Sequence, residues 1–542
     1  MMIRMKDREN LSLLKKYLDW IIVGLIVVAA YFLLSPQITK PFYGHHDFNS
    51  NIWTLIAKNN LKDGLFCTKF AQSTAYWPVQ NCQHRFYMNT PSLMSWVVTG
   101  FYALFGLGEW VGRLPFALLS TATAILLYFL VKRLYSWREG VGASFFMMAT
   151  PMFRYFGKLM THDVIALFGT ILALYLFVLW LQKSKNIYLY ALWATAFLLG
   201  LTAWMAYPFF LVLAVYTFIV YRKKFFSVLP TIFILIATFI AHQVHIRLAE
   251  GVWKAGELFQ QFAVRTNLSS IVVVSEAKQA TAVSFSLNQF VARIFEWLNK
   301  LYTLPLVLLA LAFGCLLIYK LYKKQKIGFA EQIIAVFGIF GLINILVFSE
   351  YVYIHDFLTI YLAPFLAMTA VYGLQKLAQY ADIGAVEQCI IAVFGIIAVF
   401  FLGNSYARTL LNSNQNEGFY YLSYIIRDQG LDKAYLIESK TYSDRYPILW
   451  NYDYGVRQLA GRYDNLASFK KDQQNIEKEF DSLIFSYNEE MDPALVKYLE
   501  KTYNRETANI LISKTFQQEK RVIYFLYDLH SQNTKNELSY GF

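Results

Sequence analysis

Long, nearly uncharged apolar runs recur through the first three quarters of the sequence, and they constrain the fold more than any other feature. A helix that crosses about 30 Å of hydrocarbon needs roughly 20 apolar residues, and twelve runs approach that length. Composition agrees, because 57% of the 542 residues are hydrophobic and only 16% are charged. The sequence therefore predicts an α-helical polytopic membrane protein. The twelve runs lie at 17–35, 91–108, 113–134, 139–157, 163–182, 187–206, 208–221, 226–247, 301–319, 328–348, 356–375 and 385–404.

Basic clusters at the ends of these runs decide how many of them cross the bilayer. The N-terminus is basic, and later clusters lie at 132–138, 183–185, 222–224 and 320–326. If all twelve runs cross, every later cluster lies opposite the N-terminal one, against the positive-inside rule. If 91–108 does not cross, all the clusters share the cytoplasmic side. We therefore predict about eleven transmembrane helices, with 91–108 lying in the interface or re-entering beside the bundle.

The same argument predicts a location and a division into domains. No small-residue cleavage site follows the first run, so we expect an uncleaved helix with a cytoplasmic N-terminus in the plasma (inner) membrane. We expect a transmembrane domain at 1–404, with outer loops at 36–112 and 248–300, and an extracytoplasmic domain at 405–542. The net charge of +13 gathers largely at the ends of the apolar runs, so it indicates a membrane and not a nucleic-acid partner.

The polar tail has the pattern of a small α/β domain, and we find no catalytic motif in it. Its strand-like runs lie at 434–438, 482–486, 508–513 and 522–527, and its helix-like stretches at 416–428 and 493–503.

The first outer loop begins with an acid next to two histidines, His45-His46-Asp47. Such an acid at the membrane surface suits a general base or a metal-binding carboxylate, and a solvated loop acid is the alternative. The same loop carries Cys67 and Cys82. If the loop is extracytoplasmic, we expect these two cysteines to form a disulfide.

Two further polar clusters are predicted to face the same side. Arg154 and Lys158 are four residues apart and, on a continuous helix, would share a face that suits a phosphate. They precede His162 and Asp163, for which a loop residue and an N-cap are the alternatives. Another cluster ends in His355-Asp356, and a polar turn between helices is its alternative. Ionisable groups collected at one membrane face fit an active site for a lipid-borne, phosphate-containing substrate.

At this point the sequence resembles the GT-C membrane glycosyltransferases, in particular the protein O-mannosyltransferases and the aminoarabinose transferase of lipid A. The resemblance covers roughly 15–380 and is strongest at 87–115. That stretch is similar to the family's His-Pro-Pro-Leu element, Leu-Phe-Gly turn and Arg-Leu-Pro helix start, and the matching residues are Tyr87-Met88-Asn89-Thr90-Pro91-Ser92-Leu93, Leu104-Phe105-Gly106, Glu109-Trp110 and Arg113-Leu114-Pro115.

The resemblance implies a site and a reaction. Asp47 matches the catalytic acid-base residue, and Asp163 matches a second acid that arranges the site or a divalent metal (Mg, Mn or Zn), which makes Asp47 and Asp163 candidate metal ligands. The family passes a sugar from a polyprenyl-phosphate carrier to a lipid, glycan or protein acceptor, typically with inversion. Our candidate substrate-binding residues are His46, Arg85, Arg154, Lys158, His162, Tyr207, His355 and Asp356.

The sequence also departs from the family. Asn89-Thr90 stands where relatives carry His or Lys, and the 200–208 stretch lacks a lysine that some relatives have. Arg85, Arg154 or Lys158 would then supply the phosphate contact. Two alternatives to the enzyme are a transporter or flippase of lipid-linked glycans and a non-catalytic membrane scaffold. A transporter is expected to carry mid-membrane charges and paired repeats, and we find neither in the sequence.

Overall fold

The computed structural model describes residues 2–74, 81–267, 283–414, 434–437, 460–461, 465–487, 492–514 and 519–532. The chain divides into two compact units, each built from several stretches of sequence. We call the first the membrane unit; it contains Met1–Ile38, Met88–Val97 and Arg113–Thr409. We call the second the loop-and-tail unit; it contains Thr39–Tyr87, Val98–Gly112 and Leu410–Phe542.

Helices dominate the described part of the chain up to residue 411. In chain order they are α1 (Met2–Leu34), α2 (Asp47–Asp63), α3 (Leu93–Phe105), α4 (Glu109–Leu134), α5 (Trp137–Ala149), α6 (His162–Lys183), α7 (Asn186–Gly200), α8 (Tyr207–Val220), α9 (Phe225–Val228), α10 (Pro230–Glu250), α11 (Ala255–Arg265), α12 (Leu287–Tyr302), α13 (Leu304–Tyr322), α14 (Phe329–Val347), α15 (Ser349–Ile354), α16 (Ala363–Tyr380) and α17 (Ala385–Leu411). A π-helical turn at Met152–Phe156 and a 3-10 segment at Asp356–Leu362 interrupt this series.

The prediction of a polytopic helical membrane fold is confirmed. Among the described residues, eight helices are long and apolar enough to cross a membrane, and each coincides with a predicted span. The other three predicted spans fall on shorter helices, namely α7, α8, and α5 together with the π-helical turn. The run at 91–108 forms α3, which has 13 residues. Its rise is about 20 Å, and its placement in the interface or beside the bundle stays a prediction from the basic clusters.

Small residues let the helices of the membrane unit approach one another closely. α6 packs on α7, and α7 packs on α10. A Cβ at Gly169 of α6 would lie 2.5 Å from Leu199 of α7, and one at Gly200 of α7 would lie 2.2 Å from Thr238 of α10. Because lipid tails are as apolar as the helix surfaces, such close van der Waals packing is a main source of helix association in a bilayer.

The tail of the loop-and-tail unit contains a five-stranded sheet with the order β2-β1-β3-β5-β4. β1 is parallel to β2 and β3, whereas β5 is antiparallel to β3 and β4. Two helices accompany the sheet, and the shared core includes Phe469, Leu483, Leu495 and Tyr527. The elements are β1 (Ala434–Ile437), β2 (Ala460–Gly461), α18 (Leu466–Glu479), β3 (Ser482–Tyr487), α19 (Pro493–Thr502), β4 (Tyr503–Lys514) and β5 (Glu519–Gln532).

The α/β prediction for the tail is confirmed at the level of fold class. All four predicted strand segments lie on strands, and the helix predicted at 493–503 is α19. α18 was not predicted, because its charged and amide side chains, such as Lys470, Lys471 and Asp472, dilute the helical hydrophobic pattern. The helix predicted at 416–428 lies outside the described residues.

Tight packing at Gly140 gives a test of the helix arrangement. We expect Gly140→Ala to lower the free energy of unfolding by about 1–3 kcal/mol, as overpacking typically does. The new Cβ would lie 2.7 Å from the backbone oxygen of Tyr128, which cannot move aside as a side chain can. The measurement is thermal unfolding of the purified protein in detergent. Gly24→Ala is the matched control, because no atom lies within 4 Å of its new Cβ; equal melting temperatures for the two variants would contradict the arrangement.

Candidate active site

Asp163 lies in the first turn of α6 and is buried in the membrane unit. Only 6% of the residue is exposed, and its Oδ1 accepts a 2.8 Å hydrogen bond from the Tyr361 hydroxyl. Tyr361 is itself fully buried in the 3-10 segment between α15 and α16. The positive end of the α6 dipole also favours a negative charge here. The carboxylate is therefore held by a helix terminus and by a phenol from a distant part of the sequence.

The same 3-10 segment also carries Asp356, its first residue, which is buried. Tyr302 anchors the segment by donating a 2.7 Å hydrogen bond to the carbonyl oxygen of Thr359. His355 precedes it, with its ring 4.7 Å from that of Tyr351 and 5.2 Å from that of Phe357. One short segment of the membrane unit thus positions Asp356 and the hydroxyl that contacts Asp163.

The backbone at Met88–Thr90 is held by side chains from three directions. Trp204 Nε1 donates to the carbonyl oxygen of Asn89 at 2.8 Å, and His242 Nε2 lies 3.1 Å from that of Met88. Thr90 Oγ1 lies 3.2 Å from Nε2 of the predicted site residue His162. These contacts fix the segment that carries the family resemblance beside the first turn of α6.

Arg154 and Lys158 do not share a partner, although their spacing predicts one face. Lys158 Nζ is buried and donates to the carbonyl oxygens of Leu34, at 3.2 Å, and Pro36. Arg154 Nη2 donates to Asn404 of α17 at 2.9 Å. The π-helical turn and the end of helical order at Gly157 change the side-chain directions that regular i, i+4 spacing assumes.

Tyr207 is anchored to α10. Its hydroxyl donates to the carbonyl oxygen of Leu235 at 3.2 Å and lies 3.3 Å from Thr238 Oγ1. Through these contacts Tyr207 helps α8 to pack on α10. Its contact with substrate stays a prediction.

Asp47 is the first residue of α2 in the loop-and-tail unit, and only 3% of it is exposed. Its Oδ2 accepts a 2.9 Å hydrogen bond from the backbone N–H of Gly44, and its Oδ1 accepts a 3.2 Å one from Ser50. His46 precedes it with a left-handed φ of 59°, and the rings of His45 and His46 are 4.0 Å apart. The structure therefore holds Asp47 as an oriented, buried acid and not as a solvated loop acid.

Other contacts fix the loop that contains Asp47. Cys67 and Cys82 form a disulfide whose Cα atoms are 5.2 Å apart. His84 Nδ1 lies 2.7 Å from Ser73 Oγ. Burial lowers the pKa of His84 below its usual value, although the nearby Asp63 carboxylate acts in the opposite direction. Arg85 follows, and its side chain is exposed.

An apolar groove of about 440 Å³ lies in the membrane unit between α8, α13 and α14. Its walls include Leu211, Val215, Leu317 and Ile339. Two polar groups in it, Tyr216 and Gln332, are hydrogen-bonded to each other at 2.8 Å. Both the size and the lining suit a section of hydrocarbon chain.

Three residues of the site were not predicted from the sequence: Trp204, His242 and Tyr361. They contact Asp163 or the Met88–Asn89 backbone from positions far away in the sequence. A polar or aromatic residue within an apolar run is the sequence feature that marks them, and most such residues serve packing alone. Thr90 belongs to the stretch that carries the resemblance, but its contact with His162 was not predicted.

The comparisons with known proteins agree with this architecture. Residues 89–245 match the dolichyl-phosphate-mannose-protein mannosyltransferase family. ArnT from Cupriavidus metallidurans, solved bound to undecaprenyl phosphate, superimposes with a TM-score of 0.58 at 16% identity, over 93% of this chain and 97% of ArnT. The oligosaccharyltransferase AglB from Archaeoglobus fulgidus was solved in complex with an inhibitory peptide and a dolichol-phosphate. It superimposes with a TM-score of 0.57 at 14% identity, over 94% of this chain and 74% of AglB.

Another structure of the Archaeoglobus fulgidus oligosaccharyltransferase contains Zn and sulfate. It superimposes with a TM-score of 0.56 at 12% identity, over 92% of this chain and 72% of the oligosaccharyltransferase. No curated protein sequence matches the chain significantly. The structural matches confirm the predicted GT-C fold. Together with the family match over residues 89–245, they agree with the predicted glycosyltransferase class and not with the transporter or scaffold alternative.

The contact between Tyr361 and Asp163 gives a direct test of this part of the site. We expect Tyr361→Phe to reduce the rate of glycosyl transfer about 10- to 100-fold, which corresponds to losing one hydrogen bond to a charged group. The matched control is Tyr302→Phe, which removes a buried hydroxyl that donates to a backbone carbonyl of the same 3-10 segment. Equal losses in the two variants, measured at equal amounts of folded protein, would mean that Tyr361 only supports the fold.

Proposed function

We propose that this protein transfers a monosaccharide from a polyprenyl-phosphate-linked donor to a lipid, glycan or protein acceptor on the extracytoplasmic face, with inversion at the anomeric carbon. The observation that carries the proposal is Asp47, a buried carboxylate at a helix N-terminus whose two oxygens are held by separate donors. Such a carboxylate keeps a fixed direction, and an ionised carboxylate in a fixed direction is a suitable proton acceptor.

In the proposed reaction Asp47 acts as the general base. Its carboxylate takes the proton of the acceptor group while the acceptor atom attacks the anomeric carbon. The bond between that carbon and the phosphate oxygen breaks on the opposite face, and the lipid phosphate leaves with the electron pair. One displacement of this kind inverts the anomeric centre. The hydrogen bonds from Gly44 and Ser50 orient the base and reduce the entropy that it would lose in the transition state.

Asp163 is the second acid of the proposed mechanism, and its role is to position the groups that contact the donor. The Tyr361 hydroxyl and the start of α6 hold its carboxylate in place. The neighbouring His162 contacts Thr90, so a change in the charge at Asp163 can reach the Asn89-Thr90 segment through the first turn of α6. We propose that this segment and His162 contact the donor, along with Asp356 and His355 on the 3-10 segment.

The donor's prenyl chain is proposed to lie in the groove between α8, α13 and α14. Its volume of about 440 Å³ and its apolar walls support this assignment. The two polar groups that line it satisfy each other, so a hydrocarbon chain can enter without leaving a hydrogen bond unmade. Among the predicted cations, Arg85 is exposed and is the one that we propose for the donor phosphate.

The two histidines that precede Asp47 suit a divalent cation. The rings of His45 and His46 are 4.0 Å apart, and imidazole is a good ligand for Zn, whereas Mg and Mn prefer oxygen ligands. Such an ion supplies positive charge that offsets the leaving phosphate. Asp47 and Asp163 remain our proposed carboxylate ligands. The Archaeoglobus fulgidus oligosaccharyltransferase solved with Zn supports testing a metal requirement with chelators.

We further propose a cytoplasmic N-terminus and an extracytoplasmic tail. The basic clusters at alternate ends of the helices support this orientation, and the Cys67–Cys82 disulfide fits an oxidising compartment. The tail at 405–542, which we keep as a domain distinct from 1–404, is proposed to recognise the acceptor or to cover the site. Unchanged transfer kinetics after deletion of 410–542 would contradict that role.

The base assignment predicts the effect of Asp47→Asn. This change preserves the shape of the side chain but removes the proton acceptor, so we expect the transfer rate to fall about 10²- to 10⁴-fold. The measurement is transfer of labelled sugar from a panel of polyprenyl-phosphate sugars in membranes.

Asp63→Asn is the matched control for this prediction, because it makes the same change at the last residue of α2. The control should stay within a few-fold of the wild type. Full activity of Asp47→Asn would show that Asp47 is structural, and no transfer by the wild type across the panel would contradict the proposed function.

A further inference from the structure

Arg154 is a buried cation without an acidic partner in the part of the chain that the structure describes. Only 8% of the residue is exposed. Its Nη2 donates to Asn404 at 2.9 Å, and its guanidinium carbon lies 4.3 Å from the centre of the Phe400 ring. Its Nη1 is buried and has no hydrogen-bond partner. One terminal nitrogen of the guanidinium, Nη2, is therefore hydrogen-bonded, and the other, Nη1, is not.

Such an arrangement is unfavourable unless something else supplies an acceptor. A buried guanidinium usually pairs with a carboxylate, because its lost hydration must be replaced. Arg408 lies four residues after Asn404 in α17, so it shares a helix face with the residue that Arg154 contacts. Two arginines on neighbouring helices attract an anion, and the five donors of each guanidinium suit phosphate oxygens in particular.

The surroundings of Arg154 indicate where the anion comes from. The π-helical turn Met152–Phe156 carries Arg154, and π-helical turns are frequent at functional sites. α17 passes close by, because a Cβ at Gly403 would lie 2.6 Å from the Pro151 ring. The rest of α17 has few buried residues and exposes large apolar side chains such as Phe394, Phe401 and Leu402. Acyl chains of the bilayer therefore have direct access to this helix.

The position of the two arginines along their helices fits lipid headgroups. Arg154 lies close to the end of the helical stretch formed by α5 and the π-helical turn, and Arg408 lies in the last turn of α17. Helix ends of membrane-spanning segments reach the interface, where lipid phosphates are found.

We propose that Arg154 and Arg408 bind the phosphate of an anionic glycerophospholipid, whose acyl chains lie along the exposed apolar face of α17. Arg154 Nη1 donates to a phosphate oxygen, and Arg408 contributes charge from the surface. This lipid takes no part in sugar transfer and is distinct from the sugar donor. It occupies a fixed site and holds α17 against the π-helical turn.

The test uses the full-length protein, purified and delipidated in detergent. Phosphatidylglycerol should raise the melting temperature of the wild type by several degrees in a saturable manner, since a ligand that binds only the folded state stabilises it. Phosphatidylcholine at the same concentration should have a much smaller effect. Native mass spectrometry then counts the retained lipids.

Arg154→Met keeps most of the side-chain volume and removes the charge. We expect its apparent affinity for phosphatidylglycerol to fall at least about tenfold, as the loss of a charge-assisted hydrogen bond implies. Arg138→Met is the matched control: Arg138 lies at the start of α5 and is exposed, and its guanidinium lies beside Trp137. The control should bind phosphatidylglycerol as the wild type does.

A second readout separates lipid binding from a structural role. Without lipid, Arg154→Met should be at least as stable as the wild type, because it removes an uncompensated buried charge. With phosphatidylglycerol the order should reverse. A variant that is less stable in both conditions by the same amount would contradict the proposal. If Arg154→Met does not fold, Arg408→Gln at the exposed partner should still weaken phosphatidylglycerol binding several-fold, and unchanged binding there would also contradict it.

Competing ligands distinguish the sources of the phosphate. Equal protection by inorganic phosphate would show a free-anion site, and protection by polyprenyl phosphate alone would assign Arg154 to the sugar donor. Either result would overturn the phospholipid site.

Discussion

In a bilayer, every backbone group that leaves helical order needs a hydrogen bond from the protein, and the described fold depends on meeting this requirement. Lys158 contacts the carbonyl oxygens that follow the last turn of α1, and Trp204 and His242 bind those of Met88 and Asn89. Each contact joins parts of the chain that are more than a hundred residues apart. The polar side chains that close these gaps therefore also bring the candidate active-site segments of the membrane unit together.

The two candidate acids are built by the same physical means. Asp47 is the first residue of α2 and Asp163 the second of α6, so each carboxylate lies at the positive end of a helix dipole. Each also accepts a hydrogen bond from a neutral hydroxyl, Ser50 in one case and Tyr361 in the other. Neutral donors orient a carboxylate without neutralising it, as a base or a positioning acid requires.

Much of the fold was predictable because hydrophobicity over about 20 residues is a strong pattern. The eight long helices follow from this pattern. Four of the five strands described in the tail follow from shorter apolar runs, whereas the two-residue strand β2 was not predicted. Asp47 was found through its two histidine neighbours and the resemblance, and Asp163 through a predicted helix start and the resemblance. The partners of these acids were not, because Tyr361 and Ser50 look like ordinary residues of apolar or polar stretches. The sequence predicted that Arg154 and Lys158 share a helix face, whereas the two side chains have different partners. Regular helical spacing does not anticipate the π-helical turn that separates them.

The central claim is a single displacement at the anomeric carbon with Asp47 as the base. It is tested most directly by the anomeric configuration of the product, determined by NMR coupling constants after transfer from a polyprenyl-phosphate donor of known configuration. We expect the configuration to be inverted, because the acceptor attacks opposite the leaving phosphate. A product that retains the donor's configuration would contradict it, since retention requires either a second displacement or departure and attack on the same face.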